Sequence, residues 1–265
     1  SYLYTNLLGR HIIEQNPNLK TVFEQWKQES ASPSLSKNSP LQMNQELKDL
    51  LLTETPWVMD ANRESEQKQL LSGFFDPNTI QQRIESATEK LGKLQKHDGS
   101  WSWWEGMRGS SFMTIGISEM LVRLNQMVGQ QSETQSMLDK AFHFMGGEMV
   151  ELVNEMKKQE KKGVKPHFPN YLALERLYIC AIDGRSLPAD VQSANTYLKK
   201  LLKKDVKNQT IYEKALSAIV LGDKLYIQSL KEWTVYKEEM GRYYDTPRAS
   251  YSWRNYRIPT QVAAI

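Results

Sequence analysis

The stretch that decides the predicted fold is Leu91-Gly-Lys-Leu-Gln95-Lys-His-Asp98-Gly99-Ser-Trp101-Ser-Trp103-Trp104. It follows apolar residues at steps of three and four, which lie on one face of a helix. Asp98-Gly99 then predicts a turn, because glycine takes a positive φ at low cost, and three indoles follow within four positions. We interpret this stretch as a clamp between helical hairpins, in which Gln95 and Asp98 bond exposed backbone ends and Trp101 is wedged between helices.

Length and composition favour a protein with a substantial core, in one large domain or two small ones. The 265 residues are 40% hydrophobic, and the net charge is only +3, which gives no electrostatic footprint for a nucleic-acid partner. No apolar run approaches the roughly 20 residues that span a bilayer, and the first residues do not read as a signal peptide. Cys180 is the only cysteine, which excludes an internal disulfide and does not distinguish an oxidising from a reducing compartment.

Helical periodicity recurs along most of the chain. Helices are predicted near residues 2–14, 18–29, 41–52, 62–75, 76–94, 113–124, 137–156, 171–183, 188–204, 209–221 and 223–240, with the opening of another at 259–265. A lysine-rich connection is expected at 157–165, and strand-like character only around 243–256. The prediction is an all-α fold of helical hairpins.

Helix-capping and helix-terminating residues support these boundaries. Asp76-Pro77 is typical of a helix start, with aspartate as the N-cap and proline at the first helical position. Gly184 and Gly222 are expected to end helices, so that successive helices lie antiparallel. Gly146-Gly147 lies inside a predicted helix and indicates a close crossing or a bend.

Several strings beyond the clamp point to one family. They are Glu54-Thr-Pro-Trp57-Val-Met-Asp-Ala61, Glu64-Ser-Glu-Gln67, Phe74-Phe-Asp76, Gly106-Met107-Arg-Gly109-Ser110 and Tyr251-Ser-Trp253-Arg-Asn-Tyr-Arg-Ile-Pro259-Thr. The clamp alone is similar to that of several α/α toroids, the rings of paired helices found in terpene cyclases, prenyltransferases and thioester domains. Together the strings resemble the large bacterial alpha-2-macroglobulin proteins, particularly the Bacteroidetes branch.

This resemblance implies a single α/α toroid domain over residues 1–265, with an incomplete ring, as part of the thioester-type domain of a larger protease trap or inhibitor. In that family a Cys-x-Glu-Gln motif forms an internal thioester that acylates the attacking protease. Here Ile12-Ile13-Glu14-Gln15 matches only the second half, with Ile12 in the cysteine place. We therefore expect residue 1 to fall just after the motif, Ile265 to fall inside the next helix, and this part of the protein to be chemically inert and not an enzyme.

The resemblance also implies where and with what the protein works. It implies an extracytoplasmic, periplasmic protein with a distant lipid anchor. The implied partners are proteases, through the full-length protein, and neighbouring β domains of the same chain. An incomplete ring would expose an apolar face, so self-association is expected.

An enzyme of the same architecture is the alternative. Asp98 with Glu105, or Glu232 with Glu238 and Glu239, would then serve as the acid/base pair of a polysaccharide lyase or glycoside hydrolase. Sequence spacing cannot show that these carboxylates converge, and a solvated helix face explains them better. The Asp-Asp-x-x-Asp motif of terpene cyclases is absent from the sequence.

The indoles are the candidate binding residues. Trp101, Trp103, Trp104 and Trp253 are the side chains expected at a sugar- or peptide-binding surface, although core packing is the favoured interpretation. Cys180 lies on the apolar side of a predicted helix and is interpreted as a small buried hydrophobe. The four histidines form no metal-binding pair, and no cofactor or metal is predicted.

Overall fold

The computed structural model of the protein describes residues 2–31, 67–205, 209–244 and 257–265. Helices dominate these residues, and the sheet among them has only two strands. The predicted all-α class is therefore confirmed, while the toroid stays a prediction. None of the described helices is both long and apolar enough to span a bilayer.

The described residues group into two compact units, Ser1–Gly92 and Lys93–Ile265. The first unit contains α1 (Tyr2–Gln15), α2 (Pro17–Ala31), α3 (67–74) and most of α4 (Pro77–Leu94). The prediction of one toroid domain over residues 1–265 is not tested by this grouping. The predicted helix at 41–52 lies outside the described residues.

Aliphatic side chains of α1 and α4 form the core of the first unit, where Leu7, Ile80 and Ile84 are almost completely buried. The predicted start of α4 is confirmed, because the Thr79 backbone N–H donates to Asp76 Oδ1 at 2.9 Å and Pro77 is the first helical residue. An N-cap and a proline thus fix the entry of the chain into α4.

The second unit contains most of the remaining elements. They are α5 (Ser111–Val128), α6 (Ser132–Lys161), α7 (Tyr171–Asp183), α8 (Ala189–Leu202), α9 (Ile211–Leu221), α10 (Lys224–Lys231), β1 (Thr234–Lys237), β2 (Gly241–Tyr244) and α11 (Arg257–Ala264). Helix α6 continues to Lys161, so the predicted connection at 157–165 begins too early. Glutamate, glutamine and lysine favour a helix there, and Gln159 Nε2 donates to Glu155 Oε1 one turn earlier at 2.8 Å.

Alternate helices of the second unit pack against one another. Helix α7 packs between α5 and α9, and α9 also contacts α11, so these helices form one row. Helices α6 and α8 pack together as a second row, and α6 also contacts α5. The hairpins of α5 with α6 and of α7 with α8 therefore each contribute one helix to each row, as expected for successive antiparallel pairs.

Glycines set two of the boundaries and one crossing. Gly184 and Gly222 end α7 and α9 in the left-handed conformation, with φ of 72° and 60°. Gly146 lies where α6 crosses α8, because a Cβ at Gly146 would stand 2.9 Å from Val191 Cγ2. The predicted close crossing is therefore found at Gly146.

One helix was predicted over residues 223–240. This prediction is wrong beyond Lys231, where α10 ends. Residues 234–244 form an antiparallel hairpin in which Thr234 lies opposite Tyr244 and Lys237 lies opposite Gly241. Thr-Val-Tyr at the start of β1 favours a strand, and Gly241 has a φ of 71°, typical of a tight hairpin loop. Of the predicted strand-like residues 243–256, only the first two are described, and both belong to β2.

Candidate functional site

The clamp begins with a turn closed by Asp98. Its Oδ1 accepts hydrogen bonds from the Ser100 hydroxyl at 2.6 Å and the Ser100 backbone N–H at 2.9 Å. These two bonds lower the pKa of Asp98 below its ordinary value, and the bond from the hydroxyl has the larger effect. Asp98 therefore holds the turn itself and not an exposed helix end, which corrects that part of the prediction.

The clamp is attached to α6. Gln95 Nε2 donates to the carbonyl of Met137 at 2.7 Å and to that of Gly99 at 3.1 Å. The backbone of Gly99 lies against the same helix, because a Cβ on Gly99 would stand 2.1 Å from the carbonyl oxygen of Lys140. Gln95 thus bonds an interior carbonyl of α6, where we predicted an exposed end.

Trp101 occupies the centre of the clamp and is completely buried. Its backbone N–H donates to Thr114 Oγ1 at 2.8 Å, and its carbonyl accepts from the Ser110 N–H at 2.8 Å. Thr114 Oγ1 in turn donates to the carbonyl of Ser110 at 2.8 Å. The indole is therefore buried and offers no face to a ligand in solvent, while its predicted position between helices stays a prediction.

The other two indoles of the motif are exposed on the loop that the clamp closes. Trp103 and Trp104 have exposed fractions of 50% and 63%. The Trp103 ring stacks on that of Phe112, with centroids 6.0 Å apart and planes 12° apart. The prediction of a binding surface applies only to Trp103 and Trp104 here, since Trp253 lies outside the described residues.

The carboxylates considered for acid/base catalysis serve other roles or face solvent. Asp98 accepts the turn bonds of Ser100, and its lowered pKa is the opposite of what a general acid requires. Glu105 is exposed on the loop. Glu232 is exposed at the end of α10, and Glu238 and Glu239 are exposed in the turn between β1 and β2. Their positions give no support to the proposed catalytic pairs.

A polar group between α5 and α7 escaped the sequence analysis. Arg123 Nη2 lies 2.9 Å from Glu119 Oε1, and the guanidinium lies 5.5 Å from the centre of the Tyr178 ring. Burial raises the pKa of Glu119, and the positive charge of Arg123 acts in the opposite direction. The i,i+4 spacing of Glu119 and Arg123 was the sequence signal for this pair, but ion pairs on solvent-exposed helix faces have the same spacing.

A second polar group joins three helices beside the clamp loop. The Ser111 hydroxyl donates to Glu148 Oε1 at 2.5 Å, and Arg176 donates to Glu148 Oε2. These residues belong to α5, α6 and α7, and Arg176 is buried. Because a buried charge is costly unless it is paired, removal of Glu148 would leave the guanidinium of Arg176 buried without this partner.

Cys180 is mostly but not completely buried in α7, where it was predicted to be buried. Its surroundings, chiefly through burial, raise the thiol pKa to about 11, so the reactive thiolate is scarce at neutral pH. Among the described residues, no group of three or more histidine, cysteine, aspartate or glutamate side chains is placed to hold a metal ion.

Comparisons with known proteins identify no family for the chain. No protein-family model matches the sequence, and no curated protein matches it. The resemblance to alpha-2-macroglobulin proteins therefore rests on the quoted strings, of which Phe74-Phe-Asp76, the clamp and Gly106–Ser110 lie wholly within the described residues. Assignment to that family is accordingly a proposal.

Proposed function

We propose that this chain is a structural and partner-binding portion of the helical thioester-type domain of a bacterial alpha-2-macroglobulin-like protease trap. The reactive group of the trap would lie elsewhere in a larger protein. Its partners would be the proteases that the full-length protein captures and the β domains beside it. The setting would be periplasmic, with a lipid anchor, and isolated copies would self-associate.

The clamp is the observation that carries this proposal. The strings that resemble the family include Gln95, Asp98, Gly99 and Trp101, and each of them holds the turn or attaches it to a neighbouring helix. Their roles are architectural, as expected of a domain that presents a reactive group without supplying one. The two rows of alternating helices in the second unit also agree with the hairpin arrangement of a toroid.

Protease capture by the whole protein that contains these residues tests the proposal. After incubation with the whole protein, trypsin should still cleave a small chromogenic peptide. Its activity on a large protein substrate should fall at least about tenfold, because the trap keeps bulky substrates away from the protease. Part of the trypsin should also migrate with the protein as a conjugate stable in denaturing gels. Methylamine, which opens thioesters, should abolish the conjugate.

Two results would count against the proposal. One is equal trypsin activity on both substrates in the presence and absence of the protein. The other is depolymerisation of a glycan that Asp98→Asn or Glu105→Gln abolishes while the fold is retained, which would favour the lyase or hydrolase. Protection from large substrates without a conjugate would keep the trap and remove its covalent step.

A further inference from the structure

The two outer edges of the β1–β2 hairpin differ, because a helix side chain occupies one of them. On β2, the Tyr244 N–H donates to Gln261 Oε1 at 2.9 Å, and the Tyr244 carbonyl accepts from Gln261 Nε2 at 2.6 Å. Gln261 belongs to α11, which packs against β2. A strand added at this edge would therefore have to displace α11.

The bonds of Tyr244 also show which backbone groups of β1 face outward. In an antiparallel pair, successive residues direct their N–H and C=O alternately toward the partner strand and away from it. Tyr244 directs both groups away from β1, so Thr234, which lies opposite, directs its groups away from β2. Tyr236, two residues along, does the same. No hydrogen bond reaches the outward N–H or C=O of Tyr236 from the residues that the structure describes, and Tyr236 is 68% exposed.

The outer edge of β1 is suited to pairing with another strand. Thr234, Val235 and Tyr236 are residue types that favour strands, and Lys237 is the one charged residue of β1. Edge strands are usually protected from pairing by proline, by a bulge, by several charges or by a covering element. β1 has no proline, and its register with β2 is continuous. One lysine is weak protection.

We propose that β1 pairs with β1 of a second copy of this chain, antiparallel and about a two-fold axis through Val235. In this register Thr234 of each copy lies opposite Tyr236 of the other, and each of these two pairs exchanges two backbone hydrogen bonds. A slide of two residues in either direction leaves one such pair within the strands. Threonine opposite tyrosine and valine opposite valine are favourable cross-strand neighbours, and Lys237 lies opposite Trp233, so no like charges face each other.

This pairing assigns a surface to the self-association that the proposed function expects, and it depends on β1 and not on protease capture. Either proposal can therefore fail without the other. Pairing of four-residue strands buries less area than a standard interface. The dimer should accordingly be weak, with a Kd of about 0.1–1 mM.

Sedimentation equilibrium of the 265-residue chain at increasing concentration tests the backbone pairing. Tyr236→Pro removes the outward N–H, which takes no part in the bonds to β2, and should weaken dimerisation at least about tenfold. Tyr236→Val is the matched control, because it removes the ring and keeps the N–H, and it should weaken dimerisation about threefold or less. A chain that is monomeric at about 1 mM would overturn the proposal. Association that survives Tyr236→Pro would also overturn it and favour a contact through an apolar face.

Disulfide formation in a Cys180→Ala background tests the register and does not require the proline variant to fold. Val235 lies on the axis in a pair without backbone hydrogen bonds, so the two Cα atoms of a Val235→Cys dimer would be about 4.5 Å apart. Lys237→Cys is the control, since its two Cα atoms would be about four residues, or about 13 Å, out of register. Val235→Cys should form the oxidised dimer at least about tenfold faster, although Lys237 is the more exposed residue. Equal rates, or a faster reaction of Lys237→Cys, would overturn the proposal.

Discussion

Replacing Gly99 by alanine is the most direct test of how the clamp is attached. Gly99 has a φ of 90°, and a Cβ there would stand 2.1 Å from the carbonyl oxygen and 2.5 Å from the carbonyl carbon of Lys140. The obstructing atoms belong to the backbone of α6, which cannot rotate away as a side chain would. Gly99→Ala must therefore separate the turn from the helix.

The cost has three parts. An alanine at positive φ costs about 1–2 kcal/mol. Because unstrained C···O contacts lie near 3.3 Å or more, the turn must retreat by about 1.2 Å, and the gap loosens packing around Trp101 at a cost of about 1–3 kcal/mol. The same movement stretches the bond from Gln95 to the Met137 carbonyl, which is worth about 1 kcal/mol. We expect Gly99→Ala to lower the free energy of unfolding by about 3–6 kcal/mol.

Gly106 is a matched control within the same loop. Its φ is 83°, close to that of Gly99, but nothing lies within 4 Å of the position its Cβ would take. Gly106→Ala should therefore cost only the backbone strain of about 1–2 kcal/mol. Urea unfolding followed by far-ultraviolet circular dichroism gives both values. If the two variants lose the same stability within about 0.5 kcal/mol, the contact with α6 has no energetic weight and the reasoning fails.

Three further outcomes are expected. Gly147→Ala should raise the free energy of unfolding by about 0.5–1 kcal/mol, since its Cβ meets nothing within 4 Å. Gly146→Ala, whose Cβ meets Val191, should lower it by about 1 kcal/mol. Urea unfolding gives both values, and equal effects would argue against a crossing at Gly146. The bond from Lys27 and the capping bonds lower the pKa of Asp76 to about 2, so its stabilisation is present above about pH 4 and lost as the pH falls through 2. Asp76→Asn should therefore flatten the decline in Tm between pH 5 and 2, and an unchanged decline would contradict this assignment. The Cys180 thiol, with a pKa of about 11, should react with iodoacetamide at pH 7.5 at least about tenfold more slowly than in the urea-unfolded chain, and equal rates would show that the thiol is not shielded.

Local sequence signals were enough to place most helices of the described chain. Helix α7 has the predicted bounds of 171–183, because Asn170 caps its start and Gly184 ends it in the left-handed conformation. Asp76-Pro77 likewise fixes the start of α4. In each case the residues that decide the boundary are within one turn of it, so no knowledge of distant contacts is required.

Distant contacts explain what the sequence could not predict. The hairpin of β1 and β2 is supported by Gln261 of α11, whose Nε2 donates to the Tyr244 carbonyl at 2.6 Å and whose Oε1 accepts from the Tyr244 N–H at 2.9 Å. A side chain 17 residues away thus supplies bonds that a third strand would otherwise provide. The polar and apolar pattern of residues 231–240 suits a helix equally well without this contact.

The clamp illustrates the same limit for the candidate site. Its residue types predicted a turn, a buried indole and an interhelical junction, but not that the junction would be with α6 at Met137 and Lys140. Gln95, Asp98 and Gly99 each meet a steric or hydrogen-bonding requirement of the turn. In the loop that follows, a Cβ on Gly109 would stand 1.7 Å from Ser100 Oγ. Because those requirements concern packing and hydrogen bonding, they give the clamp a role in the fold. Any covalent chemistry of the proposed trap must then depend on groups outside the clamp, and the clamp variants should alter stability before they alter the rate of acylation.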